Sequence, residues 1–135
     1  WVVKCWGKTR DVYYNEYVLK QELILKEKTH CSVHYHADRV NRFILKAGEV
    51  RVLLFLDDDI KSIELSIDEP FVIGPNITHC FVVISDGVME EEYDNERGDK
   101  MSKDDIIILY ERGNFCGQSV DDLVDKLKLG IRDAR

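Results

Sequence analysis

The chain has 135 residues, 44% apolar and 10% aromatic, which is enough to bury the core of one domain and too few for two ordinary ones. Nineteen Lys and Arg against 26 Asp and Glu leave a net charge of −7 and a pI near 5.1, a field that repels phosphate backbones and anionic lipid, so neither nucleic acid nor a membrane surface is an expected partner. No apolar run, residues 52–56 and 106–110 among them, exceeds five residues, against the roughly 20 needed to cross a bilayer.

From Trp1 to Ile84, short clusters of Val, Ile, Leu and Phe alternate with polar or Gly/Pro punctuation every eight to twelve residues, the rhythm of an all-β sandwich or barrel. The spacing predicts strands over 2–6, 16–25, 31–36, 42–45, 50–56, 62–67, 71–73, 79–84, 88–93 and 106–111. Lys46-Ala47-Gly48, Asp57-Asp58-Asp59 and Gly74-Pro75-Asn76 read as turns, which makes most strands hairpin neighbours. Trp1, Trp6, Tyr13, Tyr14 and Tyr17 read as fillers of the core or of a dimer seam.

Residues 85–105 carry nine acidic side chains against three basic ones, the composition of a solvated loop or a lid. After Gly117 the period changes: Ser119 is a fitting N-cap, Asp121 and Asp122 suit the first turn, and Val120, Leu123, Val124, Leu127 and Ile131 make one apolar stripe. The organisation expected is a β-barrel over 1–117 and an amphipathic helix over 118–135, packed on the barrel or on a dimer partner. Cys5, Cys31, Cys80 and Cys116 include no Cys-x-x-Cys pair and read as free thiols. The N-terminal residues lack the apolar segment and cleavage site of a secretory signal, so a cytoplasmic protein is expected.

All four histidines fall between residues 30 and 79. A strand presents alternate residues on one face, so His34 and His36 project side by side, about 7 Å apart at the backbone, a spacing that suits one cation. His30 and Ser32 share that phase if the strand begins early enough. His79, just past the Gly74-Pro75-Asn76 turn, can close the site from a facing strand. Three imidazoles on a metal leave positions open for water or substrate.

His34-Tyr35-His36, then Asn41, then Gly48, together with the Gly74-Pro75 turn running into His79, resemble the two motifs of the cupin superfamily. The resemblance extends to the C-terminal domain of type II phosphomannose isomerases and their stand-alone relatives. It rests on Trp6-Gly7, on Ser32 with His36-Ala37-Asp38-Arg39-Val40-Asn41, and on Asp104-Asp105-Ile106-Ile107 with Arg112-Gly113, and covers roughly residues 1–114. It implies a double-stranded β-helix, or jelly-roll, barrel that holds a divalent metal (Zn, Mn, Fe, Ni or Co) on His34, His36 and His79. Arg39 and Ser32 are the substrate-binding candidates, the implied substrate is a small molecule of carbohydrate type, and a homodimer is expected.

Asn41 stands where those relatives have a metal-binding Glu, and an amide oxygen is a neutral, weaker ligand. The Ile106-Ile107-Ile108 strand also lacks the Arg usual in the isomerases, which weakens the case for a phosphorylated sugar. Three functions fit the residues: a metal-dependent sugar or sugar-phosphate isomerase or epimerase, a three-His iron dioxygenase, and a binding or regulatory barrel without a reaction. An isomerase needs a base, for which Glu22, Glu64 and Glu91 are the candidates.

Overall fold

A computed structural model of the chain describes residues 1–57, 59–101 and 106–134. The described residues form eleven strands: β1 (Val2–Lys4), β2 (Gly7–Tyr14), β3 (Val18–Leu25), β4 (Thr29–His30), β5 (Val33–His36), β6 (Arg39–Leu56), β7 (Asp59–Glu64), β8 (Phe71–Ile73), β9 (Thr78–Asn95), β10 (Ile106–Tyr110) and β11 (Gly113–Asn114). One helix, α1 (Val120–Ala134), follows them. Among the described residues no helix is long and apolar enough to cross a membrane.

The architecture grows from β6 and β9, which pair antiparallel along their whole length, Arg39 opposite Asn95 at one end and Phe55 opposite Thr78 at the other. The free edge of β6 takes β8 and β7, and that of β9 takes β3, β4 and β5. Beyond these lie β2 with β1 over one half, and β11 and β10 over the other. Register shifts between Leu45 and Val50 mark where the long strip bends. Gly48 sits there at φ +91°, and a Cβ on it would lie 2.6 Å from the Asp86 carbonyl oxygen, so only glycine fits this fold line.

Bending brings the two halves face to face. Phe43 from one half lies 6.2 Å from Phe81 of the other, and Trp6 meets Phe81 edge-on at 5.2 Å. Because the bulge shifts the phase of β6 by one residue, Asn41, Phe43 and Leu45 face inward before it, and Val50 and Val52 after it. The outer face of the second half is buried as well, at Leu53, Cys80 and Val82, where Leu123, Leu127 and Ile131 of α1 join the core. Gly130 lets the helix approach the Tyr110 ring closely.

Several local expectations need correction. The strand over 7–14 is absent from the sequence pattern because its centre, Lys8-Thr9-Arg10-Asp11, is polar on an edge paired only to β1 and β3. The strands expected over 42–45 and 50–56 are one, and so are those over 79–84 and 88–93: Lys46-Ala47-Gly48 is a bulge in a continuous strand and not a hairpin turn. Residues 85–95 of the supposed acidic loop belong to β9, with Glu92 and Asp94 paired to Lys20 and Arg42 at 3.8 and 3.0 Å. Asp104 and Asp105, quoted above for the closing strand, lie outside the described residues, as does Asp58. Gly74-Pro75-Asn76 does turn the chain, but β8 and β9 then flank β6 and do not pair with each other.

Of the N-terminal aromatics only Trp6 enters the core, while Trp1, Tyr13, Tyr14 and Tyr17 are exposed. The tip at Asp57 and Asp59 does join β6 to β7. Ser119 caps α1 as expected: its Oγ accepts from the Asp122 N–H at 3.0 Å, and the Asp122 carboxylate accepts from the Ser119 N–H at 3.2 Å.

Candidate metal centre

His34 and His36 stand on the inner face of β5, and His79 is the direct cross-strand partner of His34 on β9. All three are buried. Their ring centroids are 5.0 Å (34 to 36), 4.6 Å (34 to 79) and 5.8 Å (36 to 79) apart. One ligand atom from each ring falls within 4.8 Å of the others, so small side-chain rotations bring all three to a shared ion. The pair read from one strand and the residue read from another therefore meet inside the barrel. His30 does not join them: the strand breaks at residues 31–32, and His30 lies on β4 against the Cys31 carbonyl and Tyr110.

The rings are held in the tautomer a metal needs. A carbonyl can only accept, so the 2.8 Å contacts to Ser32 O and Ile77 O put the proton on Nδ1 of His34 and of His79 and leave each Nε2 lone pair facing inward. Burial, reinforced by the neighbouring His34, pushes the pKa of His36 and of His79 down to about 3, so both are neutral across the physiological range. His79 Nε2 is buried with no hydrogen-bond partner, as are both polar atoms of the Asn41 amide. Such atoms cost folding energy unless something binds them. Neutral, correctly protonated imidazoles converging beside unsatisfied heteroatoms fit a divalent cation.

Asn41 is 1% exposed on β6, in phase with Phe43, whose ring lies 6.5 Å from that of His79. It therefore faces the same interior as the histidines. Arg39, two residues earlier, lies over the Tyr93 ring at 5.6 Å, and the His36 ring is 5.2 Å from the same Tyr93 ring. The Ser32 hydroxyl sits 3.0 Å from His34 Nδ1, so it steadies a ligand as well as lining the cavity.

A cavity of about 360 Å³ opens beside His34, bordered by Ser32, Phe43, Glu91, Tyr93 and Arg112 among others. It separates the three carboxylate candidates. Glu64 is exposed on β7, and Glu22 is half-buried and paired to Arg10 at 3.2 Å. Glu91 is 7% exposed and lines the cavity, and burial pushes its pKa up to about 7. The Tyr93 hydroxyl, kept protonated by burial and by Glu91, donates a hydrogen bond to that carboxylate. Tyr93 was missed by sequence reasoning, although a signal existed: counting by twos from His79 along β9 reaches Phe81, Val83, Met89, Glu91 and Tyr93.

No protein-family model matches the chain, and no curated protein matches it in sequence. Its structure is similar to solved ones. A mutant of Bacillus subtilis oxalate decarboxylase OxdC, a protein with Mn(II) centres, superposes with a TM-score of 0.66 at 15% identity, over 80% of this chain and 29% of that one. The capsular polysaccharide assembling protein CapF from Staphylococcus aureus superposes with a TM-score of 0.66 at 18% identity, over 80% of this chain and 31% of that one. A cupin superfamily protein from Desulfitobacterium hafniense gives 0.57 at 11% identity, over 66% and 77%. The chain thus spans under a third of the length of the first two, and the likeness concerns the fold. With its folded strip of paired strands, inward histidines and terminal helix, this chain has the cupin fold, a double-stranded β-helix barrel followed by a C-terminal α-helix.

Proposed function

We propose that the chain is a divalent-metal-dependent isomerase or epimerase acting on a small carbohydrate. His34, His36 and His79 hold the ion, with Asn41 as a neutral further donor. The observation that carries this reading is Glu91, a buried carboxyl in the same cavity as His34, with a pKa of about 7. A group poised there accepts and returns a proton at neutral pH, which is what moving hydrogen between adjacent carbons demands. The ion, when bound, supplies a Lewis acid that polarises the substrate's carbonyl and hydroxyl oxygens.

The remaining steps belong to the protein. The Glu91 carboxylate removes the proton from the carbon beside the carbonyl, and the resulting acid returns it to the neighbouring carbon as the hydroxyl proton passes to the former carbonyl oxygen, which is isomerisation; epimerisation by the same acid requires the enediolate to turn its other face to Glu91 before the proton returns. No oxidant or reductant is consumed. Tyr93 holds the Glu91 carboxyl in place, while Arg39 and Ser32 are the groups proposed to bind substrate hydroxyls. The barrel wall of Phe43 and Phe81 keeps bulk water from the base.

Metal analysis of tag-free protein, followed by aldose and ketose incubation in D₂O, tests the proposal. Near-stoichiometric Mn, Zn, Ni or Co and deuterium incorporation are expected. Glu91→Gln should lower exchange by about 10²- to 10⁴-fold with metal content unchanged. Iron with oxygen uptake would replace this reading by the dioxygenase one, and metal without any exchange by a binding role. A cytoplasmic homodimer accompanies the proposal; the exposed Val3, Val12, Tyr13 and Tyr14 support the dimer, and light scattering decides it.

A further inference from the structure

The donor set carries no negative charge. Among the described residues the cluster that can hold an ion consists of three imidazoles and no carboxylate, and Asn41, which faces the same interior, is an amide. A dication bound by neutral donors in a buried site keeps its full charge, and a buried charge is expensive until an opposite one accompanies it.

The surroundings add positive charge. Lys4 and Arg112 line the cavity, in a protein whose overall charge is −7. Among the described residues the one acidic side chain in the lining, Glu91, is buried and hydrogen-bonded to Tyr93. Clefts of one sign raise the local concentration of ligands of the other. Cations gathered at one cavity of an acidic protein therefore favour entry of an anion, and the neutral donor set favours its retention.

We propose that the ligand of this site is a carboxylate-bearing polyol, a sugar acid, whose carboxylate supplies the anionic oxygen that the protein's own donors lack. This rests on the metal reading above and narrows its substrate class. Asn41 is then a specificity-determining residue. A protein carboxylate at that position would cancel one of the ion's two charges and reduce the advantage of an acidic sugar over a neutral one.

Calorimetric titration of the tag-free full chain with Mn²⁺, alone and with saturating gluconate, glucitol or glucose phosphate, tests the inference without reference to turnover. Gluconate and glucitol differ only at the terminal carbon, carboxylate against alcohol. Gluconate should tighten Mn²⁺ binding by about tenfold, Mn²⁺ should tighten gluconate by the same factor, and glucitol should leave the affinity within about twofold of its starting value. In Asn41→Glu, Mn²⁺ alone should bind at least about tenfold more tightly and the coupling to gluconate should fall several-fold. Arg112→Gln gives a second arm if Asn41→Glu does not fold: gluconate affinity should fall several-fold, more at low salt than at high, with glucitol unchanged. Equal coupling for glucitol and gluconate, stronger coupling for glucose phosphate, or undiminished coupling in Asn41→Glu would overturn the assignment. Mn²⁺ binding without any coupling overturns this inference alone, whereas no Mn²⁺ binding overturns the metal reading and this inference with it.

Discussion

Positions 79 and 81 lie on the same strand and the same inner face, two residues apart, and do opposite things. Phe81 belongs to an apolar half of the interior, drawn from both halves of the strip, in which Trp6, Leu23, Leu25, Phe43, Val50 and Val52 close tightly, and it packs edge-on against Trp6 and Phe43. His79 belongs to a polar half in which His34, His36, Asn41 and Glu91 are buried beside a half-buried Tyr93, with His79 Nε2 and the Asn41 amide unsatisfied. One alternation of side chains builds both. The apolar half supplies stability, and the polar half consumes some of it to keep lone pairs and a titratable carboxyl away from water.

The comparison breaks most visibly at Phe81. Phe81→Ala should cost about 3–5 kcal/mol, read from urea unfolding, because it empties the centre of the apolar half. His79→Ala, one step along the same face, should cost no more than about 1–2 kcal/mol while reducing metal affinity by at least about 100-fold. Similar stability losses at the two sites would mean that the polar half is ordinary core.

Glu91 sharpens the contrast through pH. Burial raises its folded-state pKa from 4.5 to about 7, so between those values the folded protein holds a proton that the unfolded chain has lost. Stability from this group therefore falls as pH rises through that window, and above it the buried carboxylate costs about 3 kcal/mol. In the metal-free protein, Glu91→Gln should raise stability by about that amount at pH 8 and change it little at pH 4.5. A pH-independent difference would place the carboxyl in contact with solvent. The smallest effect is expected at Asn41: replacing its unpartnered amide in Asn41→Leu should stabilise the metal-free protein by about 1 kcal/mol and weaken metal binding, a trade-off seen by thermal melting with and without Mn²⁺.

Much of this was legible before any coordinates. Period-two apolar clusters identified an all-β chain, the switch to a 3.6-residue period marked α1 and its Ser119 cap, and His34, His36 and His79 were singled out from spacing and a turn. Where the reading failed, composition outweighed phase. Five acidic residues between 86 and 94 suggested a loop, yet in a two-sided strand Glu90, Glu92 and Asp94 can face outward while Glu91 points inward. The same ambiguity left Glu91 one of three equal base candidates and Tyr93 unnoticed as a neighbour of the metal site.

By itself, the sequence determined the elements that depend on near neighbours: alternation along a strand, an amphipathic stripe, a cap, and the face that His34 and His36 share. Only the tertiary structure decided what depends on distant segments meeting. The bulge at 46–49 sets which residues of β6 point inward, the fold at Gly48 brings Phe43 to His79, and enclosure by β3, β6 and β9 lifts the pKa of Glu91, whereas Glu22 is half-buried against Arg10 and Glu64 is exposed. The physical reason is that burial and charge are properties of the surroundings, and a residue's surroundings in a folded strip come from chain far away in sequence.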